Sequence, residues 1–383
     1  MAKQLKIGFV LDTSLDPPDG VQQYILRLGE WMTAQGHEVH YLVGETKRTD
    51  IANVHSLSRN VTVTFNGNKM TIPLWAHRSK VKKLLVEKQF DILHVQSPYH
   101  PLMAQYILHR NKTAGVVSTF HILPYGGLAA FASRLLGFTL KPSLKKINTF
   151  LSVSSAAAEF QAQTFGVKSK VLPNVFDYPR FEGAQPLLPK SDAITILFLG
   201  RLVERKGCQH LLQALAGLDL ATLPKIRVVI CGKGALLEEL QSYAAQHGLS
   251  EIVEFAGFVS EDDKPDYYAS ADISVFPSTS GESFGIVLLE AMASGRAAVL
   301  AGSNPGYATV MQPRPELLID PKDTQAFAAK LQELIMDGVM RKDAADWGRE
   351  YVKNFDVSVV GPKLISEYEM AIASVKEKQH NKD

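Results

Sequence analysis

Glu282 and Glu290 are the two charged residues of the segment Ser278 to Gly295, which is otherwise small, polar or apolar. The stretch Ser283–Ser294 predicts a helix that is apolar nearly all round and therefore buried. Glu290 is then a carboxylate inside an apolar helix. Burying an acid is costly unless it is paired or meets a polar ligand, and the two hydroxyls of a ribose would suit it. Glu282 stands in the loop just before the helix. The backbone amides of Ser283, Phe284 and Gly285 are expected at the helix N-terminus, where they present a positive end to phosphate or to charge developing on a leaving group. A plainer reading makes Glu282 a cap and Glu290 half of a structural ion pair.

Two upstream loops add cations and glycines. The apolar run Ile194–Leu199 leads into Gly200-Arg201-Leu202-Val203-Glu204-Arg205-Lys206-Gly207. Here Gly200 is expected to allow a tight turn, and Arg201 and Lys206 to set two cations over a pyrophosphate at the start of the next helix. The run Arg227–Ile230 leads into Gly232-Lys233-Gly234, a loop expected to let backbone approach a ligand. No Gly-x-Gly-x-x-Gly heads either half of the chain, which argues against a dinucleotide dehydrogenase. Glu261-Asp262-Asp263 is better suited to capping the helix that begins near Lys264 than to holding a metal. It follows the run Ile252–Phe255, so Phe258, Val259 and Lys264 are placed to border a nucleotide base.

These residues need a scaffold, and the 383-residue chain has room for two domains. Short apolar runs recur in both halves: Ile7–Leu11, Glu38–Val43, Ile92–Val95, Val116–Thr119 and Phe150–Val153, then Ile194–Leu199, Arg227–Ile230, Ile252–Phe255, Ile273–Phe276 and Ala298–Leu300. Stretches with helix spacing separate them, so the fold class is α/β with doubly wound parallel sheets, whose ligands sit off the carboxyl ends of the strands. Four prolines between Pro173 and Lys190 suggest an interdomain linker, and Val357–Lys376 has a helical pattern after the last recognisable strand. A net charge of +2 exerts no global pull toward nucleic acid or membrane. Cys208 and Cys231 are expected to be core thiols in a reducing compartment. The opening residues lack the apolar stretch of a signal peptide, and nowhere do about 18 apolar residues run together, so a cytoplasmic location is expected.

With Glu282-Ser-Phe284-Gly285 and Glu290-Ala291-Met292-Ala293, the segment resembles the E-x7-E motif of family-4 retaining glycosyltransferases. The resemblance runs along nearly the whole chain. Gly200-Arg201…Lys206-Gly207 is similar to that family's diphosphate loop. Pro173-Asn174-Val175-Phe176-Asp177 is similar to its hinge, with Val175 in place of glycine. Asp19-Gly20-Val21 is similar to its N-terminal glycine loop, with Asp19 in place of the first glycine, and Ser303-Asn304-Pro305-Gly306 falls at its second glycine-rich loop. The resemblance implies a GT-B fold, two Rossmann-like domains facing a central cleft. Residues 1–177 with a crossing helix at about 357–383 would bind acceptor, and residues 190–356 the nucleotide sugar. It implies that Arg201 and Lys206 neutralise the leaving diphosphate and that Glu290 holds the ribose. Glu282, with the backbone of Phe284 and Gly285, would contact the transferred sugar, as would His121 of Ser118-Thr119-Phe120-His121. Gly20, Gly200, Gly232 and Ser283 would also line the donor. Neither metal nor other cofactor is implied.

One branch of the family, the phosphatidylinositol mannosyltransferases, is more similar still. Pro18-Asp19-Gly20-Val21-Gln22 resembles its acceptor-side loop and Asn66-Gly67 its inositol-side loop, which implies acceptor contacts from Gln22 and Asn66. His77 to Leu85 resembles its membrane-docking helix. The residues agree: Arg78, Lys80, Lys82 and Lys83 cluster on one short helix, with Val81, Leu84 and Leu85 available for apolar contact, and each cation near an anionic bilayer is worth ~1 kcal/mol. Gly126–Lys146 offers a second apolar and basic stretch. The branch implies GDP-mannose as donor, a lipid acceptor, and a peripheral position on the inner face of the cell membrane. Phe65 replaces a tyrosine of that branch, and Ile122-Leu123-Pro124-Tyr125 and Asn68-Lys69-Met70 replace polar acceptor-side positions, which leaves fewer donors for an inositol phosphate. Three other readings fit parts of the sequence: a soluble family-4 transferase acting on a polysaccharide or small molecule, a nucleotide-sugar epimerase, and a non-catalytic nucleotide-sugar binding protein.

Overall fold

The computed structural model describes residues 3–17, 19–65, 68–97, 103–123, 140–189 and 191–380. Contacts divide the chain into two units: Met1–Val175 with Val357–Asp383, and Phe176–Asp356. All ten apolar runs are strands.

The first unit contains β1 (Lys6–Leu11), β2 (Glu38–Val43), β3 (Val54–Ser56), the hairpin strands β4 (Ser58–Phe65) and β5 (Asn68–Ala76), β6 (Ile92–Gln96), β7 (Gly115–Phe120), β8 (Thr149–Ser152) and β9 (Lys170–Val171). Seven of them form a parallel sheet in the order β3-β2-β1-β6-β7-β8-β9, while β4 and β5 pair antiparallel on their own. β6 and β7 are buried at every position, as expected of strands covered on both faces. Helix α1 (Gly20–Ala34) lays Tyr24, Ile25, Leu28 and Met32 against this sheet, each 1% exposed or less. The terminal helix (Val357–His380) supplies Val360, Leu364, Tyr368 and Ala371, at spacings of one helical turn, to the same core.

The second unit contains β10 (Ile194–Leu199), β11 (Ile226–Cys231), β12 (Val253–Gly257), β13 (Ile273–Phe276), β14 (Ala298–Gly302) and β15 (Leu318–Ile319), all parallel in the order β12-β11-β10-β13-β14-β15. Each sheet reverses its direction of growth at its first strand, between β1 and β6 in one unit and between β10 and β13 in the other. Those switch points are where an open α/β sheet leaves a crevice for ligand. Both cysteines are buried free thiols.

Three local expectations need correction. The boundary between the units, Val175/Phe176, falls inside the stretch read as a linker, but from Phe176 to Pro189 the chain is held by the second unit: Tyr178–Glu182 forms a short helix, and the Gln185 and Leu187 amides donate to Asp266. The helix expected over Ser283–Ser294 spans Ile286–Ala293, because Gly285 takes φ +118° and breaks the helical path there. Ser283, Phe284 and Gly285 therefore belong to the preceding loop. Finally, Gly200 is not the residue that makes its turn, since a Cβ on it would sit at ordinary distance, 3.5 Å from the Phe198 ring. Gly232 carries the constraint: at φ +148°, its Cβ would fall 1.8 Å from the Gly200 carbonyl oxygen, and that of Gly234 2.1 Å from the Leu202 carbonyl. The Gly-Lys-Gly loop thus makes room for neighbouring protein backbone.

Among the described residues no helix is long and apolar enough to cross a membrane. In urea or thermal unfolding, Gly232→Ala should lose about 2–4 kcal/mol through backbone strain and collision, while Gly200→Ala should stay within about 1 kcal/mol of the parent. Equal losses in the two variants would contradict this assignment of the turn.

Candidate active site

The second unit's switch point brings together the loop after β10 and the loop after β13. They are stitched by backbone: the Thr279 amide donates to the Arg205 carbonyl at 2.9 Å, and Gly207, at φ +75°, lets the chain pass against the Pro277 carbonyl. The stitching delivers Glu282 to two cations. Arg205 Nη1 lies 2.7 Å and Lys206 Nζ 2.8 Å from Glu282 Oε1, and Ser278 Oγ is 3.0 Å from the same oxygen. Burial alone would push this carboxyl up, but Lys206 and Arg205 outweigh it and hold Glu282 below the ordinary glutamate range. Asn304 buttresses the loop from behind, donating to the Ser278 carbonyl at 2.9 Å while capping the Tyr307 amide. Gly306 packs so closely that a Cβ there would stand 2.0 Å from the Glu282 carbonyl oxygen.

Arg205 and Ser278 escaped the sequence reading, which singled out Arg201 and Lys206. The signal was present in the Arg205-Lys206 pair, but a loop of mixed charge does not say which cation turns inward. Arg201 lies exposed at the carboxyl end of β10. The loop before Ile286 is held by Phe284, whose buried ring meets Phe355 edge-on at 5.7 Å and leaves its backbone, not its side chain, for a ligand. Ser283 is half-buried beside it.

Glu290 is 8% exposed and already has partners. Lys264 Nζ is 3.4 Å from Oε1, and the Tyr268 hydroxyl donates to Oε2 at 3.2 Å. Burial pushes the Glu290 carboxyl up by more than Lys264 pulls it down. Lys264 is shared with Glu261 at 2.8 Å, and the two carboxylates lift its ammonium above the usual lysine range despite burial. Glu261 thus belongs to this cluster and not to a helix cap. The capping group of the turn is Ser260, whose hydroxyl accepts from the Asp263 amide at 3.1 Å, while Asp263 makes no side-chain cap to the helix Lys264–Ala269. On the same loop Phe258 is 65% exposed with Lys233 Nζ 5.6 Å from its ring centre, and Val259 is half-buried.

In the first unit, His121 follows β7 and is buried. Its Nε2 meets Gln96 Oε1 at 2.8 Å, and the Tyr24 ring packs edge-on at 4.8 Å. Burial lowers the imidazole to about 3, with the Asn174 side chain offsetting a little. Gly20 opens α1 at an exposed position, whereas Gln22 turns inward and donates to the Ser14 carbonyl at 2.9 Å. Asn66, Gly67, Pro18, Pro124 and Tyr125 lie outside the described residues, as does most of Gly126–Lys146. Helix α2 (Arg78–Lys88) exposes Arg78, Lys80, Lys82 and Lys83, but its apolar side is core: Val81 is fully buried and Leu84 nearly so. The exposed apolar groups of this region are instead Trp75, 73% exposed, and Val86, 65% exposed.

The two glutamates should give opposite pH signatures. A carboxyl held low in the folded state adds stability above the unfolded pKa and loses it on acidification, and a carboxyl held high does the reverse. Below about pH 5, as acidification approaches the lowered folded pKa, the melting-temperature deficit of Glu282→Gln relative to the parent should therefore shrink. Glu290→Gln should compare best against the parent at neutral pH and lose that standing on acidification. Parallel curves for the two variants would contradict the electrostatic assignment.

Residues 180–351 match the family described as glycosyl transferases group 1, and residues 18–180 match glycosyltransferase family 4. Phosphatidyl-myo-inositol mannosyltransferase of Mycobacterium leprae is 32% identical over 97% of this chain and 98% of its own length. The enzyme of the same name from Mycolicibacterium smegmatis is 32% identical over 95% of this chain and 94% of its own. Anabaena HepE, solved with UDP and glucose, superposes with a TM-score of 0.73 at 19% identity, covering 96% of this chain and all of its own. The strand orders described above are thus those of a GT-B fold, and the chain belongs to glycosyltransferase family 4, in the branch of the phosphatidyl-myo-inositol mannosyltransferases, as a hexose-transferring enzyme.

Proposed function

We propose that this enzyme moves mannose from GDP-mannose, with retention at the anomeric carbon, onto a membrane lipid bearing inositol or a related polyol. The observation that carries the reading is the convergence of Arg205, Lys206 and Ser278 on Glu282 at the β10/β13 switch point. The choice of mannose and of an inositol lipid rests on the activity named for the relatives of this branch.

In this reading the diphosphate of the donor takes up the cations that Glu282 now holds. As the bond from the anomeric carbon to phosphate breaks, negative charge grows on the leaving oxygen, and Arg201, Arg205 and Lys206 stabilise it where it develops. The acceptor hydroxyl attacks from the same face and passes its proton to that leaving oxygen. The cations carry the counter-charge, so the scheme calls for no metal. Glu282, freed from its cations, turns to the hydroxyls of the transferred sugar, Glu290 to the ribose, and the ring of His121 to a sugar hydroxyl. Phe258, Val259 and Lys264 border the base.

Membrane association follows from α2 and its approach. Four exposed cations are together worth roughly 4 kcal/mol near an anionic surface, and Trp75 and Val86 supply apolar contact that Val81 and Leu84 cannot.

GDP-mannose should be consumed only when phosphatidylinositol or a related lipid is supplied in vesicles. Free GDP with an epimerised sugar in the absence of lipid would overturn the transferase reading. Arg205→Ala and Lys206→Ala should each lower kcat/KM by about 100-fold or more at temperatures where the variants remain folded, because the lost interaction is strongest in the transition state. Normal turnover in both would discredit the site. Lys80→Glu with Lys83→Glu should weaken co-sedimentation with anionic vesicles at low salt and leave nucleotide binding intact. Undiminished co-sedimentation would remove α2 from the docking surface.

A further inference from the structure

We infer that Gln96 is a positioning residue that fixes His121 as the Nε2–H tautomer, leaving Nδ1 as the one acceptor the ring can turn to a substrate hydroxyl. The inference rests on the proposed contact of His121 with the donor sugar.

Gln96 ends β6 and His121 follows β7, the neighbouring strand, so the sheet itself sets their separation. Gln96 is 2% exposed and His121 7% exposed, which shuts out water as an alternative partner. The orientation of the Gln96 amide is determined by its other end: Nε2 points at the His94 carbonyl, 3.4 Å away, which turns Oε1 toward His121. A carbonyl oxygen can only accept, so the proton of the Gln96–His121 bond belongs to His121 Nε2. His94 cannot donate to this pair, because its own ring nitrogens are spent on the Tyr368 hydroxyl and Thr119 Oγ1, each at 2.7 Å. Of the remaining neighbours of the His121 ring, Tyr24 packs edge-on and the Asn174 side chain favours the protonated ring, but burial outweighs Asn174 and keeps the imidazole neutral.

The consequence for the reaction is specific. His121 cannot donate a hydrogen bond to the sugar through Nε2 without abandoning Gln96, and without a proton on Nδ1 it is no general acid there. Its contribution is to accept from one hydroxyl in a fixed direction. A sugar whose hydroxyl is absent or methylated at that position would lose the contact.

Long-range 15N–1H correlation spectra of histidine-labelled protein, with His121 assigned by its loss in His121→Asn, read the tautomer directly. We expect a single neutral Nε2–H form between about pH 6 and 8. An Nδ1–H form, a mixture of tautomers, or an imidazolium in the parent overturns the inference. Gln96→Met should scramble the tautomer and lower kcat by about tenfold at temperatures where the variant remains folded, and Gln96→Glu, which keeps an acceptor, should restore the tautomer. Full turnover in Gln96→Met despite a scrambled tautomer would show that Gln96 positions nothing of catalytic use. If Gln96→Met does not fold, the spectrum of the parent still decides. Full turnover in His121→Asn with the expected parent spectrum would sink the sugar contact of His121 while leaving its tautomer as assigned.

Discussion

A largely buried carboxylate between two cations is an expensive arrangement unless something recovers the desolvation, and in this chain the recovery comes from geometry. Arg205 and Lys206 reach Glu282 from one loop, Ser278 from the other, and all three act on a single carboxylate oxygen. The loops that hold them are tied through backbone and through glycines with no room for a side chain. Removing either loop's constraint would leave charges buried and unpaired, so the fold of the switch point and the electrostatics of the site are one problem. In the proposed reaction the cations that Glu282 gathers pass to the diphosphate as Glu282 turns away from them.

The second carboxylate answers a different demand. Glu290 sits on the helix and not in the loop, and its partners Lys264 and Tyr268 come from a neighbouring helix of the same unit. Its environment pushes it toward the neutral form, whereas that of Glu282 pushes it toward the charged form. Two acids of one motif are thus set apart by their surroundings. One is held charged by two cations, and the other shares a lysine and accepts from a tyrosine hydroxyl.

The sheets were legible because buried parallel strands write themselves as short two-sided apolar runs. β3, β9 and β15 were missed because they are only two or three residues long and lie at the sheet edges, and the hairpin β4–β5 was missed because its alternating Val61-Thr62-Val63-Thr64 makes no continuous apolar run. The motif glutamates were legible as isolated charges in apolar sequence. Arg205 was not, since the direction of a side chain in a mixed-charge loop depends on what the opposite loop offers. Gly200 and Gly232 illustrate the same limit: a glycine's presence is visible, but which of two facing glycines yields the space is a tertiary fact. Val81 and Leu84 were open to either core or membrane from spacing alone, and their burial within the first unit assigns them to the core.

The central claim is that Glu282 stands in for the donor's diphosphate on the Arg205–Lys206 pair. Calorimetric titration of GDP into the parent and into Glu282→Gln tests it most directly, because GDP lacks the sugar that Glu282 would otherwise contact. If the carboxylate occupies the cations, removing its charge should tighten GDP binding; a loss of GDP affinity in Glu282→Gln would contradict the account.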